Sequence, residues 1–419
     1  MPNAFLSFVS SALAAATPVV PAPDTQLAHR LDLVIERSIA EKKIVGAVVL
    51  VARDGRVIYR RAAGWADREA RRPMREDAIF RLASVSKPIV SATLMRLVEE
   101  KRVSLDDKVT KWLPDFKPKL ADGQAPDITL RHLLTHTSGL SYRFLEPKHS
   151  DYHRWNVSDG FDQTGLDMKE ALYRLGKTRL AFPPGKGWRY SLGTDVIGAV
   201  IEKATGQNLP SAVKTRVTGP LRMNDTGFTV RDLSRLAVAY ADGQPEPVRM
   251  ADGMTIPMGE GSVRFAPGRT FDSISYPSGG AGMVGTADDV MRFLENIRRG
   301  GGTILSPVTV TAMMRDQVGP QAQTQGEGWG FGYGWAVLVD PSGTGTPQSP
   351  GTIQWGGAYG HSWFVDPAQK LTVVALTNTA LEGMSGAFPA AVRDAVYGRR
   401  SGYGASEVPA TAGQITSIL

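Results

Sequence analysis

The sequence predicts an α/β protein of the α+β kind. One antiparallel sheet is flanked by helices, and a mainly helical domain is inserted into it. Three observations predict this. Strand patterns stand near both ends of the 419-residue chain. The long middle is broken into helical patches by Pro, Gly and Asp. Helical spacing marks the segments that precede the first strands and follow the last, where helices can cover a sheet.

In order, Leu27, Leu31, Val34, Ile35 and Ile39 recur at helical spacing between Thr25 and Lys43. "GAVVLVARDGRVIYRRAAG" follows, two strand patterns around Asp54-Gly55, a strong hairpin signal. "FRLASVSKPIVSATLMRLVEE" reads as a strand end running into a helix to about Arg102, and Pro88 is tolerated in its first turn. From about Ser104 to Gly285, "DMKEALYRLGK" and "LGTDVIGAVIEKATG" are helical patches. "YGWAVLV", "TIQWGGAY", "GHSWFVDP" and "KLTVVALTNTA" return to short apolar strands, and a last helix covers about Gly383 to Tyr397. The expected division is an N-terminal extension over 1–24, a sheet domain from 25–103 and 286–400, a mainly helical domain over 104–285, and a tail over 401–419.

Composition narrows the function. Hydrophobic residues make up 42% and charged residues 21%, an ordinary globular balance. There is no cysteine, which excludes disulfides, thiolate metal sites and a cysteine nucleophile. The net charge of +7 is a mild excess over this length. Its densest basic stretch, Arg53 to Arg75, carries eight arginines beside Asp54, Asp67 and Glu69 and reads as a solvated hairpin, not a nucleic-acid groove. The N-terminal apolar run is too short to span a bilayer and lacks Lys or Arg before Arg30. These features point to a cytoplasmic enzyme; the alternative is a cleaved signal and a periplasmic or secreted protein.

Chemistry concentrates at Ser84-Val85-Ser86-Lys87. Residues three apart on a helix share a face. A serine hydroxyl is a poor nucleophile until a base takes its proton, and a lysine serves when its surroundings lower its pKa. A helix N-terminus favours the developing alkoxide. "GWRYSLGTDVIG" supplies Tyr190, a second candidate proton shuttle. "QWGGAYGHSWFV" supplies Trp355-Gly356-Gly357-Ala358, where glycines admit close approach of a ligand and a strand edge offers an N–H to an oxyanion.

The order Ser-x-x-Lys, Tyr, Trp-Gly-Gly resembles the serine β-lactamase and penicillin-binding protein superfamily. It is most similar to family VIII carboxylesterases, relatives of class C β-lactamases. The resemblance covers about Leu27 to Tyr397 and includes "HLLTHTSGL", "YPSGGAGMVGTADDVMRFL" and "GHSWFVDP". It implies a β-lactamase-like fold and a serine carboxylesterase acting on short-chain esters without a cofactor. Ser84 would be the acyl nucleophile, and Lys87 and Tyr190 the base and acid. The backbone N–H groups of Ser84 and Ala358 would form the oxyanion hole, and Trp355, Gly356, Gly357 and Leu192 would meet substrate. Trp355 replaces the lysine of the lactamase Lys-Thr-Gly motif, and Leu192 replaces the asparagine of Tyr-x-Asn. Leu192 offers no amide hydrogen bond, and Trp355 offers no cation to a lactam carboxylate. Both favour uncharged, apolar esters, with weak lactam hydrolysis as a side activity. The alternatives are a β-lactamase or D-Ala carboxypeptidase, an acyltransferase, and a non-catalytic scaffold. The expected partner is a small ester, with no nucleic acid or membrane.

Other signals are set aside. Gly360-His361-Ser362-Trp363-Phe364 lacks the last glycine of a nucleophile elbow and precedes a strand; His361 reads as structural or near the cleft. Gly280 to Gly285 fits a dinucleotide fingerprint by letter, but no strand precedes it. The pairs His132/His136 and His149/His153 have helical spacing but lack a metal motif's third ligand and glutamate. Asn156-Val157-Ser158 is a glycosylation sequon only in a secretory eukaryotic setting. Tyr142, Phe144, Trp188, Trp329, Phe331, Tyr333 and Trp363 suit either core packing or an acyl pocket.

Overall fold

The structure is a computed structural model that describes residues 24–258, 261–322 and 324–399. The expected N-terminal extension, apart from Asp24, and the expected tail lie outside the described residues, as does Arg400.

The first helix, α1 (Thr25–Ala40), starts at Asp24, whose carboxylate accepts the Leu27 N–H at 3.0 Å. Strands β1 (Gly46–Arg53) and β2 (Arg56–Asp67) then form the hairpin. Its two turn residues, Asp54 and Gly55, have φ of 50° and 82°, the left-handed pair that a two-residue turn between twisted strands requires. A short β3 (Arg72–Pro73) edges β2. From the far end of the chain come β4 (Trp329–Phe331), β5 (Ala336–Leu338), β6 (Ile353–Gly357), β7 (His361–Asp366) and β8 (Leu371–Thr377).

These strands make one eight-stranded antiparallel sheet in the order β4-β5-β6-β7-β8-β1-β2-β3. The chain ends meet where β1 pairs with β8, from Ala47 opposite Thr377 to Arg53 opposite Leu371. Both strands are buried along their length, apart from Arg53 at the end of β1, because both faces of the sheet are covered. Val49 and Val51 face a core shared with Leu27, Leu31 and Ile35 of α1. Val48 and Leu50 face the larger core that continues into the rest of the molecule. The period of two along β1 thus assigns alternate residues to two different cores.

The last helical segment departs from expectation. It is broken into two helices, Ala380–Ser385 and Ala387–Val396, at Gly386. Gly386 is extended, with φ of −79° and ψ of −160°. The Glu382 carboxylate folds over the break and accepts the Phe388 N–H at 3.0 Å, so it satisfies a donor that a continuous helix would have paired internally. The second helix lays Phe388 and Val392 on the core beside α1.

The reactive segment also differs in detail. Ser84 lies on a tight 3₁₀ turn, Ala83–Val85, in front of helix α2 (Ser86–Glu99). The middle of the chain contributes α3 (Leu130–Leu134) and α4 (Gly193–Thr205), and both pack against the buried α2 side of the core. It also holds two short hairpins, Tyr240–Ala241 with Val248–Arg249 and Thr255–Met258 with Gly261–Arg264. Among the described residues no helix is long and apolar enough to cross a membrane.

Candidate active site

The chain turns sharply before Ser84. Ala83 has φ of 45°, a conformation that costs an alanine energy and that persists because its surroundings fix it. The turn is anchored on both sides, with Leu82 N–H donating to Met283 O and Val85 N–H to Leu82 O. Helix α2 is buried around nearly its whole circumference, from Ser86 to Met95. Lys87 is therefore 0% exposed, an unusual place for an amine.

That amine has two hydrogen-bond acceptors. Lys87 Nζ donates to Ser84 Oγ at 3.2 Å and to the Gly280 carbonyl at 2.8 Å. It sits 4.6 Å from the centre of the Tyr190 ring and 5.2 Å from that of Tyr142. The Tyr190 hydroxyl donates to Ser84 Oγ at 2.6 Å. The structure thus brings Ser84, Lys87 and Tyr190 into one hydrogen-bonded cluster. A hydroxyl flanked by an amine and a phenol is placed for proton exchange with either.

Tyr190 is held by the segment before α4. Its ring packs on His136 at 5.0 Å, Tyr142 at 4.9 Å and Trp355 at 5.4 Å. His136 Nδ1 and Ser191 Oγ are 3.0 Å apart. Burial and the neighbouring Lys87 hold the His136 imidazole far below its usual pKa, so it stays neutral. Phe331 closes the cluster edge-on against Trp355 at 5.4 Å and beside Trp188 at 5.7 Å.

The sheet supplies the opposite wall. At the end of β6, Gly357 abuts the turn that carries Ser84: a Cβ there would lie 2.4 Å from the Leu82 carbonyl and 3.3 Å from Val85 Cγ2. Gly356 is equally confined, 2.7 Å from the His361 carbonyl. Ala358 sits in the turn between β6 and β7, which is closed by Gly360 N–H donating to Gly357 O. Glycine is needed at 357 because a side chain would force the strand away from the serine turn, and at 356 because one would meet the His361 carbonyl and Met384.

A cavity of about 210 Å³ opens from Ser84, Tyr190, Trp355 and Gly356. Trp363, Phe364, Met384 and Pro389 make it mainly apolar. Arg393 lies on its lining and is paired to Asp394 at 2.9 Å. Trp355 and Gly356 therefore line the cavity. Gly357 packs behind them, and Leu192, 2% exposed, caps α4 from within the core and faces a different, smaller cavity beside Asp195.

The residues set aside also find places. His361 is buried, and its Nε2–H donates to the Arg81 carbonyl at 2.7 Å; burial lowers its pKa to about 4. His132 Nδ1 accepts the Thr129 N–H at the start of α3, and His153 Nε2 is 3.1 Å from the Glu146 carbonyl. Among the described residues no three His, Asp or Glu side chains are grouped to hold a metal ion. The reading of the sequence named Tyr142 only as a core or pocket aromatic, passed over Gly280 as a false fingerprint and did not single out Asp195; the structure places all three beside Lys87. The one local signal was the glycine-rich "YPSGGAGMVG", since such runs mark close backbone approach.

Comparison with known proteins fits this geometry. A family model described as Beta-lactamase matches residues 31–397. The chain is 57% identical over 376 residues to Esterase EstB of Burkholderia gladioli, covering 89% of this chain and 96% of that protein. A solved structure described as EstCE1, a hydrolase with promiscuous acyltransferase activity, matches with a TM-score of 0.87 at 50% identity, covering 89% of this chain and 99% of that one. Unliganded simvastatin synthase (LovD) from Aspergillus terreus matches at a TM-score of 0.70 and 23% identity over 88% of this chain and 98% of its own, a likeness of fold alone.

Proposed function

The chain belongs to the beta-lactamase family, and we propose that within it this protein is a serine carboxylesterase acting on small esters. The observation that carries the reading is the hydrogen-bonded cluster of Ser84 Oγ with Lys87 Nζ at 3.2 Å and Tyr190 Oη at 2.6 Å, beside an apolar cavity.

Ser84 Oγ attacks the ester carbonyl and gives its proton to the Lys87–Tyr190 pair. The backbone N–H groups of Ser84 and Ala358 hold the oxyanion, a contribution of about 3–4 kcal/mol for one donor. The pair returns the proton to the departing alcohol. Water then attacks the acyl-enzyme, activated by the same pair, and releases the acid. Both groups hydrogen-bond Ser84 Oγ directly, so they act on its proton as a unit. The acyl group or the alcohol occupies the cavity under Trp363 and Met384. Trp355, wedged between Tyr190 and Phe331, puts an indole where a β-lactam carboxylate would need a cation. A cytoplasmic setting, with no nucleic-acid or membrane partner and no cofactor, belongs to the same reading.

Acyl transfer is a second reading, supported by the similarity to EstCE1, whose description includes a promiscuous acyltransferase activity. The acyl-enzyme is the same, and an alcohol takes the place of water. One experiment addresses both. Purified protein and its Ser84→Ala variant are assayed on p-nitrophenyl acetate and butyrate, on a chromogenic cephalosporin, and on the butyrate ester with added methanol. Fast ester cleavage lost in the variant, with little lactam turnover, is the expected result, and methyl butyrate formation measures the transferase share. Fast lactam turnover, or esterase activity that survives Ser84→Ala, would overturn the reading.

A further inference from the structure

Lys87 is a buried amine whose direct partners are a hydroxyl and a carbonyl. Buried charges are usually paired. The nearest candidate for a counter-charge is Asp195, in the first turn of α4 and 4% exposed. Neither of its carboxylate oxygens has a hydrogen-bond partner. The Ser278 hydroxyl and the Gly280 backbone are its polar neighbours, yet neither bonds it with normal geometry. The Tyr142 hydroxyl, also buried, is likewise without a partner.

Gly280 explains how these groups face one another. A Cβ on Gly280 would lie 2.6 Å from Asp195 Oδ2, 3.2 Å from Tyr142 Oη and 3.4 Å from Lys87 Nζ. The three polar atoms ring the one spot that a side chain at position 280 would fill. The glycine therefore does two things. Its carbonyl holds the amine, and its missing side chain leaves the carboxylate in electrostatic view of that amine. Beyond the reading of Lys87 and Tyr190 as the proton-transfer pair, on which it rests, we propose that Asp195 is a positioning residue that sets the protonation of that pair through the space at Gly280.

The other titratable and charged groups that face Lys87 and Asp195 are Tyr190, Tyr142, Tyr276, His136 and Arg269. Burial keeps Tyr142 and Tyr276 protonated and His136 neutral. Arg269 is engaged with the Gln163 and Tyr276 carbonyls. Farther along the Tyr142 segment, Asp162 is held by Arg143 at 2.8 Å, while Asp159, 3.6 Å from the same guanidinium, has its pKa raised to about 8 by burial and by Asp162. Asp195 itself is raised by burial, against the pull of Ser278, Lys87 and Arg269. Of these acids it is the one whose carboxylate lies beside Gly280 in view of the amine.

The sign follows. Removing a negative neighbour makes it easier for the Lys87–Tyr190 pair to lose its first proton, whichever group holds it. In Asp195→Asn the acid limb of the kcat/KM profile therefore moves to lower pH, by on the order of one unit for charges this close in a partly polar interior. Below the limb the variant retains about tenfold more of its plateau activity than the wild type does. A structural defect does not do that.

The test is the pH profile of kcat/KM on p-nitrophenyl butyrate for wild type, Asp195→Asn and Asp195→Glu. The asparagine variant should shift toward acid, and the glutamate variant, which keeps the charge, should stay with wild type. Asp195→Ser carries the same expectation if the asparagine variant does not fold. Superimposable profiles, with any loss uniform across pH, would overturn the assignment and leave the esterase reading standing. Wild-type turnover that does not depend on Ser84 would instead overturn that reading, and the assignment with it.

Discussion

Replacing Gly357 by alanine should cripple the enzyme far more than one methyl group suggests. The added Cβ would lie 2.4 Å from the Leu82 carbonyl oxygen, 3.2 Å from His361 Cδ2 and 3.3 Å from Val85 Cγ2. An ordinary contact with an oxygen needs nearly 1 Å more. The Leu82 carbonyl cannot yield easily, because it accepts the Val85 N–H inside the turn that carries Ser84. The end of β6 has to move instead, and Ala358 moves with it. An oxyanion donor works only within about 2.7–3.1 Å of the charge, so a shift of this size removes it, at about 100- to 1,000-fold in kcat. Overpacking adds about 1–3 kcal/mol of destabilisation. The assay is kcat and KM on p-nitrophenyl butyrate together with urea unfolding. Gly227→Ala is the control, since a Cβ there meets nothing within 4 Å; its stability should stay within about 0.5 kcal/mol of wild type. Wild-type kcat in Gly357→Ala would refute both the tight approach of β6 to the serine turn and the role given to Ala358.

Two further outcomes are expected. Tyr190→Phe removes the hydroxyl 2.6 Å from Ser84 Oγ and should lower kcat about 100- to 10,000-fold while the aromatic cluster keeps the fold intact, checked by kinetics and a melting curve. His361 should make the protein acid-sensitive. Its folded pKa, about 4, lies below the ordinary 6.5, so its contribution is complete above pH 6.5 and is lost as the pH falls toward 4. The imidazole is fully buried, and the loss is about 2–3 kcal/mol by pH 4.5. His361→Gln keeps a donor for the Arg81 carbonyl and should flatten that part of the urea-unfolding profile; parallel profiles would contradict it.

Much of this was legible from local pattern. Asp54-Gly55 between two apolar runs announced the hairpin, because few dipeptides tolerate two left-handed residues. Ser84 and Lys87 share a face whether the first turn is α-helical or 3₁₀, since a spacing of three serves both. What escaped depends on contacts between distant segments. The strand Trp329–Phe331 is too short to show an alternation. The break at Gly386 is stabilised by the Glu382 carboxylate, and an apolar periodicity continuing through the glycine gave no sign of it. Tyr142, Asp195 and Gly280 come from three separate stretches and meet only around Lys87, so no spacing rule connects them. Leu192 follows Tyr190 by two residues, yet helix α4 turns its side chain into the core, away from the cavity that opens at Ser84.

The most direct test of the central claim is to catch the acyl-enzyme. The protein is mixed with p-nitrophenyl butyrate, quenched in acid within milliseconds, digested with trypsin and mapped by mass spectrometry. A butyryl group on Ser84, in the peptide that begins at Leu82, with no label and no turnover in Ser84→Ala, is the predicted result. Release of p-nitrophenol with no label at Ser84, or with the label on another residue, would contradict it.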